Sequence, residues 1–354
     1  MVFYHWAPAA AMQVEHTDGR RETAIPRLEA SPAIDYQHLS LVPRVVSSIT
    51  HRGGVRCDVA LGPAVLEGPL VSSPMPDVSG AEMCRALAEL GCLGILHRFQ
   101  PIQAQVEQFA RAAAGLPAGR AVAAAVGITG DYQERFEALR DAGCAIVCLD
   151  TANGAHTQVA AAIEVIKRRA PDAFVIAGNV ASAEGFSWLE EQGADGIRVG
   201  IAGGGLCETR TETGIYMPTP QAVLEAVGVR RRALVIGDGG VRSPGDLCKL
   251  VALGADAVML GSALSGTREA TGREIVMQGQ RYKVARGAAS QSVQQEMGRT
   301  DPQHVEGAET LVPYAGEVAG VAHRYLAGLR SSMAYMDARD LSEYRRNVRF
   351  VRLP

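Results

Sequence analysis

The chain has 354 residues, of which 47% are hydrophobic and 21% charged, and its formal net charge is −3. This composition excludes disorder over most of the chain, and the scattered Lys and Arg residues exclude the concentrated basic surface that nucleic-acid binding needs. The first residues lack a basic leader, and no run approaches the roughly 18 apolar residues of a membrane span. Seven cysteines form no C-x-x-C pair. These features predict a cytoplasmic protein with reduced thiols.

In chain order, residues 1–33 are interpreted as a loosely ordered N-terminal extension. From residue 68 onward, short apolar runs alternate with helical segments, a pattern typical of parallel strands covered by helices. Eight runs are strand candidates: 69–75, 93–97, 121–127, 145–150, 174–180, 196–202, 234–240 and 257–263. Their continuous apolar character is that of strands buried on both faces. Residues 34–354 are therefore predicted to form one α/β domain, a (β/α)8 TIM barrel. A doubly wound sheet is less favoured, because no G-x-G-x-x-G opens the first βα unit.

Three segments between or after these strands have their own patterns. The segment SGAEMCRALAELG predicts a helix that Ser79 caps. One face of this helix is apolar: Met83, Leu87 and Leu90. Residues 264–316 are rich in Gly, Gln and charge, and are interpreted as a flap. Residues 317–346 return to a helical pattern and are expected to close the barrel.

Cys144 and Cys148 lie in the run AGCAIVCLD. A metal pair is one interpretation of two cysteines at this spacing. The run is that of a buried strand, however, and free cysteine packs well as a small hydrophobic residue. Both are therefore predicted to belong to the core, and no metal site is predicted.

The ends of the last two predicted strands carry small and polar residues. Asp238-Gly239-Gly240 ends the seventh run and Gly261-Ser262 follows in the eighth. In such barrels the loops after strands seven and eight often hold a phosphate, and glycine lets backbone N–H groups approach its oxygens. Asp238 could accept hydrogen bonds from a ribose diol or could simply form a turn. Two such ends on adjacent strands favour a nucleotide phosphate.

The loop after the sixth run reads VGIAGGGLCETRTETG. Cys207 follows three glycines there, on the face of the barrel that carries active sites. A loop thiol beside polar residues can become a thiolate and attack an electron-poor carbon. Glu208 and Thr209 are close enough in sequence to pass protons.

Several segments together resemble one enzyme family. These segments are DYQHLSLVPR (35–44), PLVSSPMPDV (69–78), CLGILHR (92–98), AGNV (177–180), the cysteine loop, residues 234–264, EGAETLVPYAG (306–316) and GLRSSMAY (328–335). In this order they are similar to GMP reductase and IMP dehydrogenase over most of the chain. The resemblance implies that Cys207 attacks C2 of a purine nucleotide and forms a thioimidate. It also implies a homotetramer.

Within that family, several features favour the reductase. Only residues 98–120 separate His97 from the third predicted strand, which leaves no room for the paired CBS domains that most dehydrogenases insert there. The stretch QQEMGRTDPQHVEG lacks the Arg-Tyr pair of a dehydrogenase, and LDTANG (149–154) resembles the reductase strand end. Thr209 and Glu306 match the residues that protonate the leaving amine. The catalytic set implied by the resemblance is Cys207, Thr209 and Glu306.

The resemblance therefore implies NADPH-dependent reductive deamination of a guanine-type nucleotide. The alternatives are an IMP dehydrogenase without CBS domains, which uses NAD, and a non-catalytic nucleotide-binding barrel. Cofactor-binding residues are expected at Arg98, Thr129, Asp150, Ala152 and Asn153. Arg98 matches a family Lys near the cofactor and suits a phosphate, although a surface cation is an equal interpretation. A monovalent cation such as potassium near the glycine-rich loop is left open.

The predicted substrate-binding residues are Ser72, Met75, Gly205, Asp238, Gly239, Gly240, Gly261, Ser262, Ala288, Ala289 and Gln303. Several positions depart from the family pattern. Gly205 replaces a Ser, Ala288-Ala289 replaces Met-Ser, Gln303 replaces an Arg, and Pro76-Asp77 replaces Asp-Thr. These changes predict a reshaped pocket. GMP and a 7-substituted 7-deazaguanine nucleotide are both candidate substrates.

Overall fold

Eight parallel strands form the centre of the protein, seen in a computed structural model that describes residues 32–43, 46–298 and 305–354. These eight are β4 to β11 among the fifteen described strands, which in chain order are β1 (Leu39–Val42), β2 (Val59–Leu61), β3 (Ala64–Leu66), β4 (Leu70–Ser72), β5 (Gly94–Leu96), β6 (Val122–Val126), β7 (Ile146–Asp150), β8 (Phe174–Val180), β9 (Gly196–Val199), β10 (Leu234–Asp238), β11 (Ala257–Leu260), β12 (Glu274–Met277), β13 (Gln280–Arg286), β14 (Glu309–Pro313) and β15 (Arg349–Arg352). The helices are α1 (Ala81–Glu89), α2 (Ile102–Ala113), α3 (Tyr132–Asp141), α4 (Thr157–Arg169), α5 (Ala183–Glu191), α6 (Thr209–Thr213), α7 (Thr219–Val229), α8 (Pro244–Leu253), α9 (Ser262–Ser265), α10 (Gln291–Glu296), α11 (Val318–Tyr335) and α12 (Leu341–Asn347). The interpretation of residues 1–33 as an extension falls, up to residue 31, outside the described residues.

The strand order β4-β11-β10-β9-β8-β7-β6-β5 is that of a parallel barrel. A parallel bridge between Val71 and Leu93 joins the first strand of this order to the last. The predicted α/β barrel of eight parallel strands is therefore confirmed. Several predicted runs extend past the strands, because β9 ends at Val199 and β10 at Asp238. The surplus residues belong to the loops at the barrel mouth.

Side chains along each barrel strand point alternately to the barrel interior and to the covering helices, and both sides are buried, which explains why the apolar runs are continuous. In β7, Ile146 and Cys148 face the barrel interior, whereas Val147 and Leu149 pack against the covering helices. A strand with both faces buried needs apolar residues at every position. Cys144 is 6% exposed and Cys148 is fully buried, which confirms that both belong to the core.

The first covering helix begins one residue later than predicted. Gly80 is the N-cap of α1, and no side chain caps it. The Ser79 hydroxyl instead donates to the carbonyl of Ser73 and lies 2.8 Å from the Ser72 hydroxyl. The predicted Ser79 cap is therefore wrong, because strand-end groups nearby compete for its hydroxyl. Of the three residues predicted to share an apolar face, Met83 and Leu87 are buried, and Leu90, the C-cap of α1, is half-buried.

The segment predicted as a flap contains regular structure. Strands β12, β13 and β14 form an antiparallel sheet, and α10 follows β13. After this sheet, α11 packs against α8 and α1, the helices that follow β10 and β4. Among the described helices, none is long and apolar enough to cross a membrane.

Candidate active site

A cavity of about 620 Å³ opens at the C-terminal ends of the barrel strands. Its volume is within the range of small-molecule sites, roughly 300–1,000 Å³. The predicted site residues that line it are Met75, Arg98, Asp150, Ala152, Gly205, Cys207, Thr209, Asp238, Gly239, Gly240, Gly261, Ser262, Ala288, Ala289 and Glu306. Residues far apart in the sequence therefore meet in one place.

Three of these residues form a chain of hydrogen bonds. The Cys207 thiol is exposed and donates to Thr209 Oγ1 at 3.2 Å. The Thr209 hydroxyl donates in turn to Glu306 Oε2 at 2.6 Å. A thiol becomes a stronger nucleophile when its proton can leave, and this chain leads the proton to a carboxylate. The arrangement suits nucleophilic attack coupled to proton transfer.

Backbone pairing brings this chain together. Cys207 and Gly307 form an antiparallel bridge, and the N–H of Glu208 donates to the carbonyl of Glu306 at 2.8 Å. The N–H of Glu306 donates to the carbonyl of Ala289 at 3.3 Å. The segments involved are called the loop wall: residues 203–209, 287–289 and 305–308. Because peptide groups join these loops, their relative positions do not depend on the reacting side chains.

The opposite part of the site consists of side chains on the barrel strands. They are called the strand-end wall: Asp150, Asn179, Arg198 and Asp238. Arg198 Nη1 donates to Asp150 Oδ1 at 2.7 Å, and its Nη2 donates to Asp238 Oδ2 at 3.0 Å. Asn179 Nδ2 donates to the same Asp238 oxygen at 2.8 Å. Among the described residues, the hydrogen bonds to the Asp238 carboxylate all fall on Oδ2, which leaves Oδ1 for a ligand hydroxyl.

Charge pairing determines the ionisation of this wall. Burial opposes ionisation of Asp150, but the guanidinium groups of Arg198 and Arg98 outweigh it and lower the pKa of Asp150. Burial likewise opposes the charge of Arg198, and Asp238 and Asp150 outweigh it and raise the pKa of Arg198. Both members of the pair therefore stay charged at neutral pH.

Glycines at the strand ends make room for an anion. Gly239 has a φ of +106°, and a Cβ there would lie 3.1 Å from the backbone of Gly203, so the two chain segments pack without side chains. A Cβ on Gly205 would lie 3.9 Å from Ser262 Oγ, its nearest neighbour. The Tyr36 hydroxyl donates to the carbonyl of Gly239 at 2.8 Å. This corner of the cavity can accept a phosphate close to backbone N–H groups.

Asp77, at a position where the resemblance predicts Thr, has a structural role. Asp77 is 4% exposed, and its two oxygens accept hydrogen bonds of 2.7 and 2.8 Å from the Arg286 guanidinium. Such a bidentate pair is strong and directional. It ties the loop after β4 to the start of residues 287–289. Asp77 therefore supports the loop wall from behind and does not line the cavity.

The two adjacent serines at the end of β4 are not placed as predicted: Ser72 is the last residue of the strand and Ser73 follows it. Ser72 is fully buried, and its hydroxyl accepts a hydrogen bond from the N–H of Ile95 at 3.1 Å. Ser73 lines the cavity instead. Successive side chains of a strand point to opposite faces, so a shift of one residue exchanges them. The assignment of Ser72 to the substrate site does not fit this burial.

Two other predicted residues lie outside the cavity, and a third is not among the described residues. Thr129 is exposed and does not line the cavity. Asn153 is exposed as well, and its Oδ1 accepts a hydrogen bond from the N–H of Ala155 at 3.2 Å, as in a turn. Gln303 falls outside the described residues. Of the expected cofactor-binding residues, Arg98, Asp150 and Ala152 line the cavity.

Arg198, Asn179 and Phe99 are among the cavity residues that were not predicted from the sequence. Arg198 interrupts the apolar run GIRVGIA, and a charge inside a buried strand is a signal in itself. Asn179 is the polar residue of the run AGNV, and its Oδ1 is buried with no partner among the described residues. Phe99 lines the cavity beside Arg98, whose guanidinium lies 4.6 Å from the ring centre. Phe99 was not predicted, because a single aromatic residue after a strand does not by itself indicate a binding site.

Fold and site together define a class: an α/β-barrel protein with an exposed thiol at its mouth that is hydrogen-bonded through a threonine to a carboxylate, beside glycine-lined strand ends. Comparison with known proteins identifies the family, because the profile described as IMP dehydrogenase / GMP reductase domain matches residues 33–354. The chain belongs to that family.

The curated relatives include proteins named inosine-5'-monophosphate dehydrogenase. The one from Aquifex aeolicus (strain VF5) is 41% identical over 245 residues, which cover 66% of this chain and 49% of the relative. That from Streptococcus pyogenes is 38% identical over 247 residues, 66% of this chain and 50% of the relative. That from Rhizobium tropici is 37% identical over 243 residues, 65% of this chain and 49% of the relative. The matched segment spans about half the length of these relatives.

Proposed function

We propose that the protein is a reductive deaminase of a guanine-type purine nucleotide, with NADPH as the hydride donor. The observation that carries the proposal is the hydrogen-bond chain from the Cys207 thiol through Thr209 to the Glu306 carboxylate. Loss of an amine needs both a nucleophile at the carbon and a proton for the leaving nitrogen. This chain supplies both from one place.

The proposed reaction has two stages, loss of the amine and transfer of a hydride. The thiol proton of Cys207 passes through Thr209 to Glu306 as the sulfur bonds to C2 of the base. The same proton then moves to the exocyclic amine, which leaves as ammonia, and C2 remains bound to sulfur as a thioimidate. NADPH, when bound, supplies a hydride to C2. The carbon–sulfur bond then breaks and its electron pair returns to sulfur, so GMP, NADPH and two protons give IMP, NADP⁺ and ammonium.

The strand-end side of the cavity suits a dinucleotide. Arg98 and Phe99 lie together after β5, and Asp150, Thr151 and Ala152 line the cavity at the end of β7, two strands away in the sheet. A guanidinium binds phosphate well and an aromatic ring can stack on a base. We place NADPH on this side and the nucleotide phosphate beside Gly239 and Ser262.

The loop wall carries small side chains where the resemblance leads one to expect larger ones. Gly205, Ala288 and Ala289 all line the cavity. Smaller side chains leave space beside the base, and space determines which bases fit. The proposed substrates are therefore GMP and 7-substituted 7-deazaguanine nucleotides. We retain the homotetramer as part of the proposal, and sedimentation velocity tests it.

Oxidation of IMP with NAD is the second candidate. The names of the three relatives favour it, since each is described as an IMP dehydrogenase. The third candidate, a non-catalytic nucleotide-binding barrel, is opposed by the intact chain of Cys207, Thr209 and Glu306.

One assay distinguishes these candidates. The protein is mixed with NADPH and either GMP or a 7-substituted 7-deazaguanine nucleotide, and a parallel reaction contains IMP and NAD. Reductive deamination releases ammonia in equal amount to the NADPH oxidised. Cys207→Ala abolishes this release, whereas Cys57→Ala, a buried cysteine outside the cavity, retains it. Repeating the assay with tetramethylammonium in place of potassium tests the monovalent cation.

Two results contradict the proposal. If IMP reduces NAD while no ammonia appears, the protein is a dehydrogenase. If the nucleotides bind but none is consumed, and Cys207→Ala changes nothing, the barrel is a binding protein.

A further inference from the structure

Four alternating charges cross the mouth of the barrel, from the proposed dinucleotide side to the proposed nucleotide side. This charge chain consists of Arg98, Asp150, Arg198 and Asp238. Arg98 Nε donates to Asp150 Oδ2 at 3.2 Å, and Arg198 Nη1 donates to Asp150 Oδ1 at 2.7 Å. Arg198 Nη2 and Nε donate to Asp238 Oδ2 at 3.0 and 3.2 Å. Both carboxylates are thus held by one guanidinium.

Arg198 has little freedom in this arrangement. Its side chain is 7% exposed, and those of Asp150 and Asp238 are 15% and 14% exposed. A buried guanidinium needs carboxylate partners, because each unpaired donor keeps its desolvation cost. Its donors also lie in one rigid plane. Rotation of Asp150 therefore changes the position from which Arg198 meets Asp238.

We propose that Arg198 is a positioning residue shared by both binding regions, which orients Asp238 toward the nucleotide ribose and Asp150 toward the dinucleotide. The inference rests on the proposed function, since it takes the two ligands from there. A substitution at Asp150 should therefore alter the Kd for the nucleotide through Arg198, even when no dinucleotide is present.

Calorimetric titration with GMP and with IMP, without dinucleotide, tests this consequence. Asp150→Asn is expected to weaken nucleotide binding by about fivefold or more, and Arg198→Gln by roughly 10- to 100-fold. Arg198→Lys keeps the charge but lacks the planar fork, so its Kd should fall between those of the wild type and Arg198→Gln. A purely structural role would not produce this partial rescue in Kd.

A double-mutant cycle separates action through Arg198 from direct contact. If Asp150 acts through Arg198, Asp150→Asn weakens nucleotide binding less in the Arg198→Lys background than in the wild type. If Asp150 touches the nucleotide itself, the two effects add. The cycle needs only variants that retain a charged residue at position 198, so it remains informative if Arg198→Gln does not fold.

Arg135 provides a matched control. It is also a buried arginine, 4% exposed, and it pairs with Asp131 at 2.6 Å and Gln105 at 2.8 Å outside the cavity. Arg135→Gln should lower the Tm and leave the nucleotide Kd unchanged. An unchanged Kd in Asp150→Asn, or additive effects in the cycle, overturns this inference alone. Failure of the wild type to bind GMP, IMP or a 7-substituted 7-deazaguanine nucleotide overturns it together with the proposed function.

Discussion

The strand-end wall and the loop wall face the same cavity but are built differently. In the strand-end wall, Asn179, Arg198 and Asp238 stand on parallel strands and bond directly to one another. In the loop wall, Cys207 and Glu306 lie on loops that are joined by backbone hydrogen bonds. Rigid strands thus fix the charged groups suited to binding, while loops carry the groups suited to reaction. Gly205, Ala288 and Ala289, three of the positions where the resemblance predicts other residues, belong to the loop wall.

The largest expected effect comes from removing the thiol. Cys207→Ala should lower turnover by roughly 10⁴-fold or more, because a nucleophile that acts with its proton acceptor is not replaceable by binding. The Kd for GMP should stay close to that of the wild type, since the strand-end wall is untouched. Steady-state rates and calorimetry measure the two quantities. Loss of nucleotide binding in this variant would contradict the division between the walls.

The proton path gives the next largest effect. Glu306→Gln should lower kcat by about 10²- to 10³-fold with little change in KM, and Thr209→Val by about 10- to 100-fold. The neighbouring Glu208→Gln and Thr211→Val are the controls, because neither of those side chains hydrogen-bonds to the chain of Cys207, Thr209 and Glu306 among the described residues. Equal losses of kcat in the test and control variants would show that the conformation of the loop, and not the hydrogen-bond chain, determines the rate.

Substitutions in the helices outside both walls should change the stability of the protein without changing nucleotide binding. Leu329→Ala in α11 removes a fully buried side chain and should cost about 2–5 kcal/mol of unfolding free energy. Leu224→Ala in α7, where the side chain is 41% exposed, should cost less than about 1 kcal/mol. Urea denaturation gives these values. Neither variant should change the KM for the nucleotide at a temperature where it is folded; a changed KM would mean that the core and the site are coupled.

A smaller effect is expected from pH. Burial lowers the pKa of His97 to about 4, against opposition from Asp77, and its Nδ1 accepts a hydrogen bond from the N–H of Phe99. The neutral form is therefore favoured in the folded state, so its stability contribution is complete above pH 6.5 and declines as the pH falls toward 4. The loss between pH 7 and pH 5 should be roughly 2 kcal/mol. Urea denaturation at both pH values should show less of this loss in His97→Gln; an identical pH dependence would refute the assignment.

The barrel was predictable from the sequence because burial on both faces makes each strand a continuous apolar run. The exposed position of Cys207 was also predictable, since a cysteine that follows three glycines in a loop is unusual for a core residue. The contact of Thr209 with Glu306 was expected only from the resemblance, because spacing along the chain does not report a pairing across 97 residues. Arg198 was missed, because its partners lie on other strands and depend on their register. The choice between Ser72 and Ser73 failed for a similar reason: one residue of register decides which side chain reaches the cavity.

The central claim is that the carbon attacked by Cys207 loses an amine and gains a hydride. The most direct test uses NADPH deuterated at the transferable position, with GMP or a 7-substituted 7-deazaguanine nucleotide, and follows both ammonia and the deuterium content of the product at C2. The proposed function predicts one ammonia released per deuterium transferred to C2, and neither in Cys207→Ala. Ammonia without deuterium at C2, or hydride transfer only from IMP to NAD, would contradict it.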